Sequence, residues 1–234
     1  MKQRNAFIPD KVIARKAYEL LSAYRKINPA YTLPYNLEEL IWDYLNPLEG
    51  LNLDDETPLG HEPTTGDRIL GKTVLSNRTI YINPEIKHEP YYRFTLAHEI
   101  GHWILHCRPH LPNPDQLSLF EEAPHTEEST EWITLYRSMG DFGGEQYDPL
   151  EVQANKFAAH LLMPEEDIRR EFIARFQGVQ KDQSGKFDSF VYGLITKRVQ
   201  GGKTLQEAFG TSLEAMSYRL RGLGLVLNLM EKST

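Results

Sequence analysis

The sequence predicts an α+β fold, mostly helical with one small β-sheet, and three observations carry that reading. Apolar residues recur at helical spacing over most of the chain. The period changes over residues 68–82, where β-rich runs flank a two-residue turn. Capping residues, Gly and Pro divide the rest into segments of helical length.

The elements follow in order. Asp10 caps a helix whose apolar positions Val12, Ile13, Ala17, Leu20, Leu21 and Tyr24 share a face before Asn28-Pro29 ends it. A second helix, opened by Asn36 and running to Leu45, is expected to stop at Asn46-Pro47. Residues 50–65, with three consecutive acids and two prolines, read as loop. Residues 68–75 and 78–82, joined by Ser76-Asn77, read as a hairpin, and an exposed sheet edge there would align an extended peptide by main-chain hydrogen bonds. Pro84 and Pro90 separate it from a helix over 94–105.

That helix carries His98-Glu99-Ile100-Gly101-His102. Residues four apart on a helix stand one above the other, so both imidazoles can reach one metal ion. Glu99 sits about 100° round from His98, outside the ligand set yet close enough to serve as general base. Phe94, Leu96, Ala97, Ile100, Trp103 and Ile104 supply enough apolar surface to bury the helix, and three buried titratable side chains need partners. A site with an open position takes a third protein ligand from elsewhere. The metzincin continuation fails, because the places of its Gly and His hold Leu105 and Arg108. Glu151 is the better candidate. It follows the helix-start signal Pro149 on a segment whose Leu150, Ala154, Phe157, Ala158, Leu161 and Leu162 form an apolar stripe. Asn155, one turn on, can accept the Nδ1 proton of a ligating imidazole. Cys107 and the carboxylates of the acidic stretch 109–149 are rival ligands that lack this buried helical frame.

The run Phe94-Thr95-Leu96-Ala97-His98-Glu99-Ile100-Gly101-His102, together with Glu-x-x-Ala-Asn-x-Phe-Ala-Ala-x-Leu-Leu-Met-Pro at 151–164, resembles the ImmA/IrrE family of bacterial and phage zinc metallopeptidases. The likeness covers roughly residues 65–165. It implies a zincin-like core holding one Zn²⁺ per chain on His98, His102 and Glu151, with Glu99 as the catalytic base. It further implies that the substrate is a helix-turn-helix repressor, cleaved to release stress, mobile-element or toxin–antitoxin genes. That partner is expected to be a separate chain rather than a repressor domain fused to this one. One departure is the connection between His106 and Pro149, which is longer than usual in the family. Rich in Pro, Gly and acids, with an apolar island at 132–136, it is expected to be loop or a lid over the cleft.

Beyond Pro164, Ile168, Phe172, Ile173 and Phe176 fall at helical spacing, a polar break covers 181–185, and a further helix covers 190–199. Residues 201–220 read as helix, tight Gly turn and capped helix, a helix-turn-helix arrangement. Residues 165–234 hold 11 Lys/Arg against 9 Asp/Glu, net +2, so direct DNA binding is not expected and a helical packing unit is.

The expected organisation is therefore a metallopeptidase domain over 1–164 and a helical region over 165–234. At 234 residues, 25% charged and 40% hydrophobic, the chain is long enough to bury a core and is neither disordered nor fibrous. The N-terminus lacks a signal peptide's apolar core and no apolar run reaches the length of a membrane span, so a cytoplasmic protein is expected. The lone Cys107 excludes an intramolecular disulfide and fits a reducing compartment. The principal function reading is a zinc-dependent endopeptidase. The alternative is a non-cleaving regulatory module, stabilised by metal, that binds a repressor or DNA through its C-terminal helices. An intact Glu99 favours the first, since a purely structural site has no use for a carboxylate beside its ligands.

Overall fold

Helix α1 (Asp10–Ile27) begins at its first-turn carboxylate and ends on Arg25 and Lys26, both placed to offset the helix dipole. The computed structural model describes residues 7–63, 66–88, 91–111, 134–138, 148–199 and 202–230, with backbone alone at 134–138. The described residues of Met1–Lys16 with Leu37–Ala158 form one compact unit, and those of Ala17–Asn36 with Ala159–Thr234 form a second. Among the described residues no helix is long and apolar enough to cross a membrane.

In the first unit, α2 (Leu37–Glu39) widens into a π-helical turn over Leu40–Leu45 and continues as α3 (Asn46–Glu49). The expected stop at Asn46-Pro47 is therefore corrected. Pro47 lies in the first turn of α3, where a missing N–H is tolerated, and the helix ends at Gly50, whose φ of 72° is left-handed. The expected loop also contains a strand, β1 (Asn52–Asp54), which pairs in parallel with β3 (Thr79–Ile82). Three residues are too few to show an alternation, so only the partner reveals it. The hairpin forms as predicted: β2 (Ile69–Val74) lies antiparallel to β3. The connection 109–149 contributes a fourth strand, β4 (Thr134–Ser138), antiparallel to β2, which corrects part of the loop expectation and gives the sheet order β1-β3-β2-β4. The loop or lid reading of 112–133 and 139–147 lies outside the described residues.

Helix α4 (Tyr92–His102) packs against β2 and β3 and runs on through a π-helical turn at Trp103–Cys107. Its far end is fixed by Glu49, a buried carboxylate that accepts from Trp103 Nε1 at 2.7 Å and pairs with Arg108 at 3.0 Å. Helix α5 (Pro149–Leu162) belongs to this unit through Ala158, with Ala154 and Phe157 fully buried.

The second unit is built from α6 (Glu165–Phe176), α7 (Phe187–Thr196), α8 (Leu205–Phe209) and α9 (Leu213–Gly222), around Phe172, Val191, Phe209 and Met216. The predicted turn between α8 and α9 is present. Thr204 and Glu207 form a capping box on α8, Gly210 turns the chain at φ 60°, and Ser212 Oγ accepts from Ala215 N–H at 3.1 Å. The polar break at 181–185 is partly strand: β5 (Gln180–Asp182) pairs in parallel with β6 (Val226–Asn228). Its polar composition hid it, since backbone pairing rather than an apolar face holds it.

Asp167 is wholly buried on α6, where its carboxylate accepts from the Arg25 guanidinium and the Tyr35 hydroxyl and pairs with Arg170 at 2.7 Å. Removing one partner of a buried charge group strands the others. Asp167→Ala is expected to destabilise the protein by about 3 kcal/mol, read as a lowered denaturant midpoint with an unchanged m-value.

Candidate metal centre

Burial defines the site before any ligand is considered. His98, Glu99 and His102 are 1% exposed or less, on a helix whose neighbours Leu96, Ala97 and Ile100 are fully buried. Glu151 projects from the first turn of α5. Its Oε2 lies 2.9 Å from His98 Nε2 and its Oε1 3.1 Å from His102 Nε2, while the two Nε2 atoms are 2.9 Å apart. One ligand atom from each of His98, His102 and Glu151 falls within 4.8 Å of the others, a group that could hold a metal ion.

Electrostatics fit that use. Burial, then the neighbouring His98, lowers His102 to about 4, so its ring is neutral and its lone pair available at neutral pH. Burial alone would raise Glu151. The closeness of His102 and His98 outweighs it and holds the carboxyl well below its usual range, so it is ionised. His98 Nδ1 lies 3.0 Å from Asn155 Oδ1. An amide oxygen can only accept, so His98 carries its proton on Nδ1 and a bare lone pair on Nε2. Two ring nitrogens and a carboxylate converging without protons enough to separate them match the nitrogen and oxygen donor set of a zinc site, and three protein donors leave a position open.

Glu99 lies outside this group of three. Thr73 Oγ1 on β2 donates to Glu99 Oε2 at 2.7 Å, and a Cβ on Gly71 would stand 3.0 Å from both Cγ and Oε1 of Glu99. The strand thus approaches the carboxylate closely only because Gly71 has no side chain. Cys107 is buried and absent from the group, and burial followed by the charge of Glu99 pushes its thiol up to about 12. The acidic residues of the 112–133 and 139–147 stretches lie outside the described residues.

Sequence reading did not single out Thr73, Gly71, His106 or Gln153. His106 Nδ1 lies 3.0 Å from His102 Nδ1, and His106 Nε2 lies 3.2 Å from Gln153 Oε1. A signal for His106 existed, since histidines at 98, 102 and 106 repeat every four residues. None existed for Thr73 or Gly71, because only strand pairing and helix packing bring β2 onto Glu99.

The spacing of α4 from α5 rests on Gly101. A Cβ there would meet Ala154 O, Phe157 Cβ and Phe157 Cδ1, each at 3.2 Å. Gly101→Val should force the helices apart and cost about 1–3 kcal/mol by overpacking, while drawing Glu151 away from the histidines. The check is thermal melting together with metal titration. Unchanged melting and unchanged affinity would show that the contact yields freely.

The Peptidase_M78 family, described as the IrrE N-terminal-like domain, matches residues 55–221. Comparison with curated proteins finds no match.

Proposed function

Since the chain belongs to the IrrE N-terminal-like family of metallopeptidases, we propose that it is a zinc-dependent endopeptidase in which His98, His102 and Glu151 hold one Zn²⁺ and Glu99 is the general base. The observation that carries the reading is the convergence of two imidazole nitrogens and a carboxylate oxygen pair, 2.9–3.1 Å apart, on one point. Zinc held there would polarise a peptide carbonyl and acidify a water molecule. The chain's own residues do the rest. Asn155 keeps the His98 proton on Nδ1, so that Nε2 faces the ion. Glu99 takes the proton of the attacking water and returns it to the leaving amine, and Thr73 orients its carboxylate through Oε2. Burial of His98, Glu99 and His102 on α4 shields them from bulk water, which strengthens each of these interactions.

The substrate in this reading is a separate helix-turn-helix repressor in the cytoplasm, cut to derepress stress, mobile-element or toxin–antitoxin genes. Residues 1–164 form the peptidase part, and the helices of 165–234, α8 and α9 among them, dock the repressor rather than bind DNA. The test is incubation of the purified protein with the repressor encoded beside it, with and without a chelator. Specific cutting that the chelator abolishes and zinc restores supports the reading. Tight binding without cleavage in the presence of zinc would favour the regulatory module instead.

A further inference from the structure

His106 and Gln153 belong to no ligand set, yet both are buried and linked to the site. His106 is 7% exposed, on the π-helical turn that extends α4, and its ring centroid lies 5.2 Å from that of His102. Gln153 is 3% exposed, on α5 between Glu151 and Asn155.

We infer that His106 and Gln153 are positioning residues for the metal centre: the chain of hydrogen bonds from Gln153 through His106 fixes His102 in its Nδ1–H tautomer, with the Nε2 lone pair turned to the ion. The inference rests on the zinc reading for its purpose, and on proton bookkeeping for its content. Gln153 Oε1, 3.2 Å from His106 Nε2, can only accept, so Nε2 carries the proton. A neutral imidazole has one such proton, which leaves His106 Nδ1 as an acceptor. His102 Nδ1, 3.0 Å away, must then donate to it. The single proton of His102 is thereby committed, and its Nε2 is bare beside His98 Nε2 and Glu151 Oε1.

Helix α5 therefore supplies the third ligand and both amides that set the ligand tautomers, Asn155 for His98 directly and Gln153 for His102 through His106. A ligating histidine commonly gives its second N–H to a carboxylate, a carbonyl or water. Here a second imidazole takes that place, and an imidazole is an acceptor only if its own proton is held elsewhere. Gln153 holds it. Turning the Gln153 amide over would reverse both rings and put a proton on His102 Nε2, where it would block the ion, so the two states are distinguishable by experiment.

Long-range proton–nitrogen NMR on the nitrogen-15-labelled, zinc-free, full-length protein should show His106 as Nε2–H and His102 as Nδ1–H. Finding His106 as Nδ1–H overturns the proposal whatever the protein does with zinc. In zinc titrations against a competing chromophoric chelator, Gln153→Met, similar in shape but without an acceptor, should weaken binding about tenfold, and His106→Phe between about tenfold and 100-fold. Gln153→Glu, which can only accept while ionised, should stay within about threefold of wild type. Native affinity in a folded Gln153→Met protein, or a loss in Gln153→Glu as large as in Gln153→Met, overturns it. If the wild type takes up no zinc, the zinc reading fails, and the NMR measurement still decides the tautomer chain.

Discussion

Glu99→Gln should keep about one zinc per chain and lose roughly 10²–10⁴-fold in cleavage rate, the range supplied by a positioned general base. The substitution is close to isosteric, and the pocket demands that. Gly71 leaves only the room a Glu-sized side chain fills, and Thr73 can donate to an amide oxygen as it does to the carboxylate oxygen. What changes is basicity, because an amide does not take a proton from water at neutral pH. Because Glu99 is outside the group that could hold the ion, occupancy should be untouched. Metal analysis and a cleavage time course on the same preparation separate the two effects. Retained turnover would place the base elsewhere, and lost zinc would place Glu99 among the ligands.

Glu151→Gln should abolish stoichiometric zinc binding, with a consequence for stability as well as activity. In the wild type, zinc at 1,000 times its dissociation constant should add about 4 kcal/mol to folding stability by mass action. The variant should gain almost nothing at the same concentration, since the amide offers a neutral oxygen where the wild type offers an ionised carboxylate. The comparison is a pair of melting curves with and without zinc, backed by the metal content after dialysis. A full zinc-dependent shift in the variant would remove Glu151 from the ligand set and return attention to the carboxylates of the acidic connection.

The local part of this protein is written in its sequence. His98, Glu99 and His102 are neighbours on one helix, so a spacing of four residues and an apolar surround suffice to place them together. Glu151 was identifiable because its helix announces itself with Pro149 and an apolar stripe. The hairpin of β2 and β3 and the turn between α8 and α9 were likewise readable, since Ser76-Asn77, Gly210 and Ser212 carry their turn and cap chemistry locally. Pro47 misled for the same reason, as a local rule applied where a π turn had already shifted the backbone.

The sequence by itself thus determined the α+β class, the two site helices and the identity of the candidate ligands, because each rests on residues within one or two helical turns. Only the tertiary structure decided that Thr73 and Gly71 meet Glu99, that Gln153 reaches His106, that Gly101 sets how closely α4 approaches Phe157, and that polar triplets at 52–54 and 180–182 become strands. These contacts, the pairings of the short strands included, join residues from about 26 to about 56 positions apart. A hydrogen bond or a van der Waals contact depends on distance to a few tenths of an ångström, and no periodicity in a one-dimensional pattern fixes distances on that scale between elements that meet only when the chain has packed.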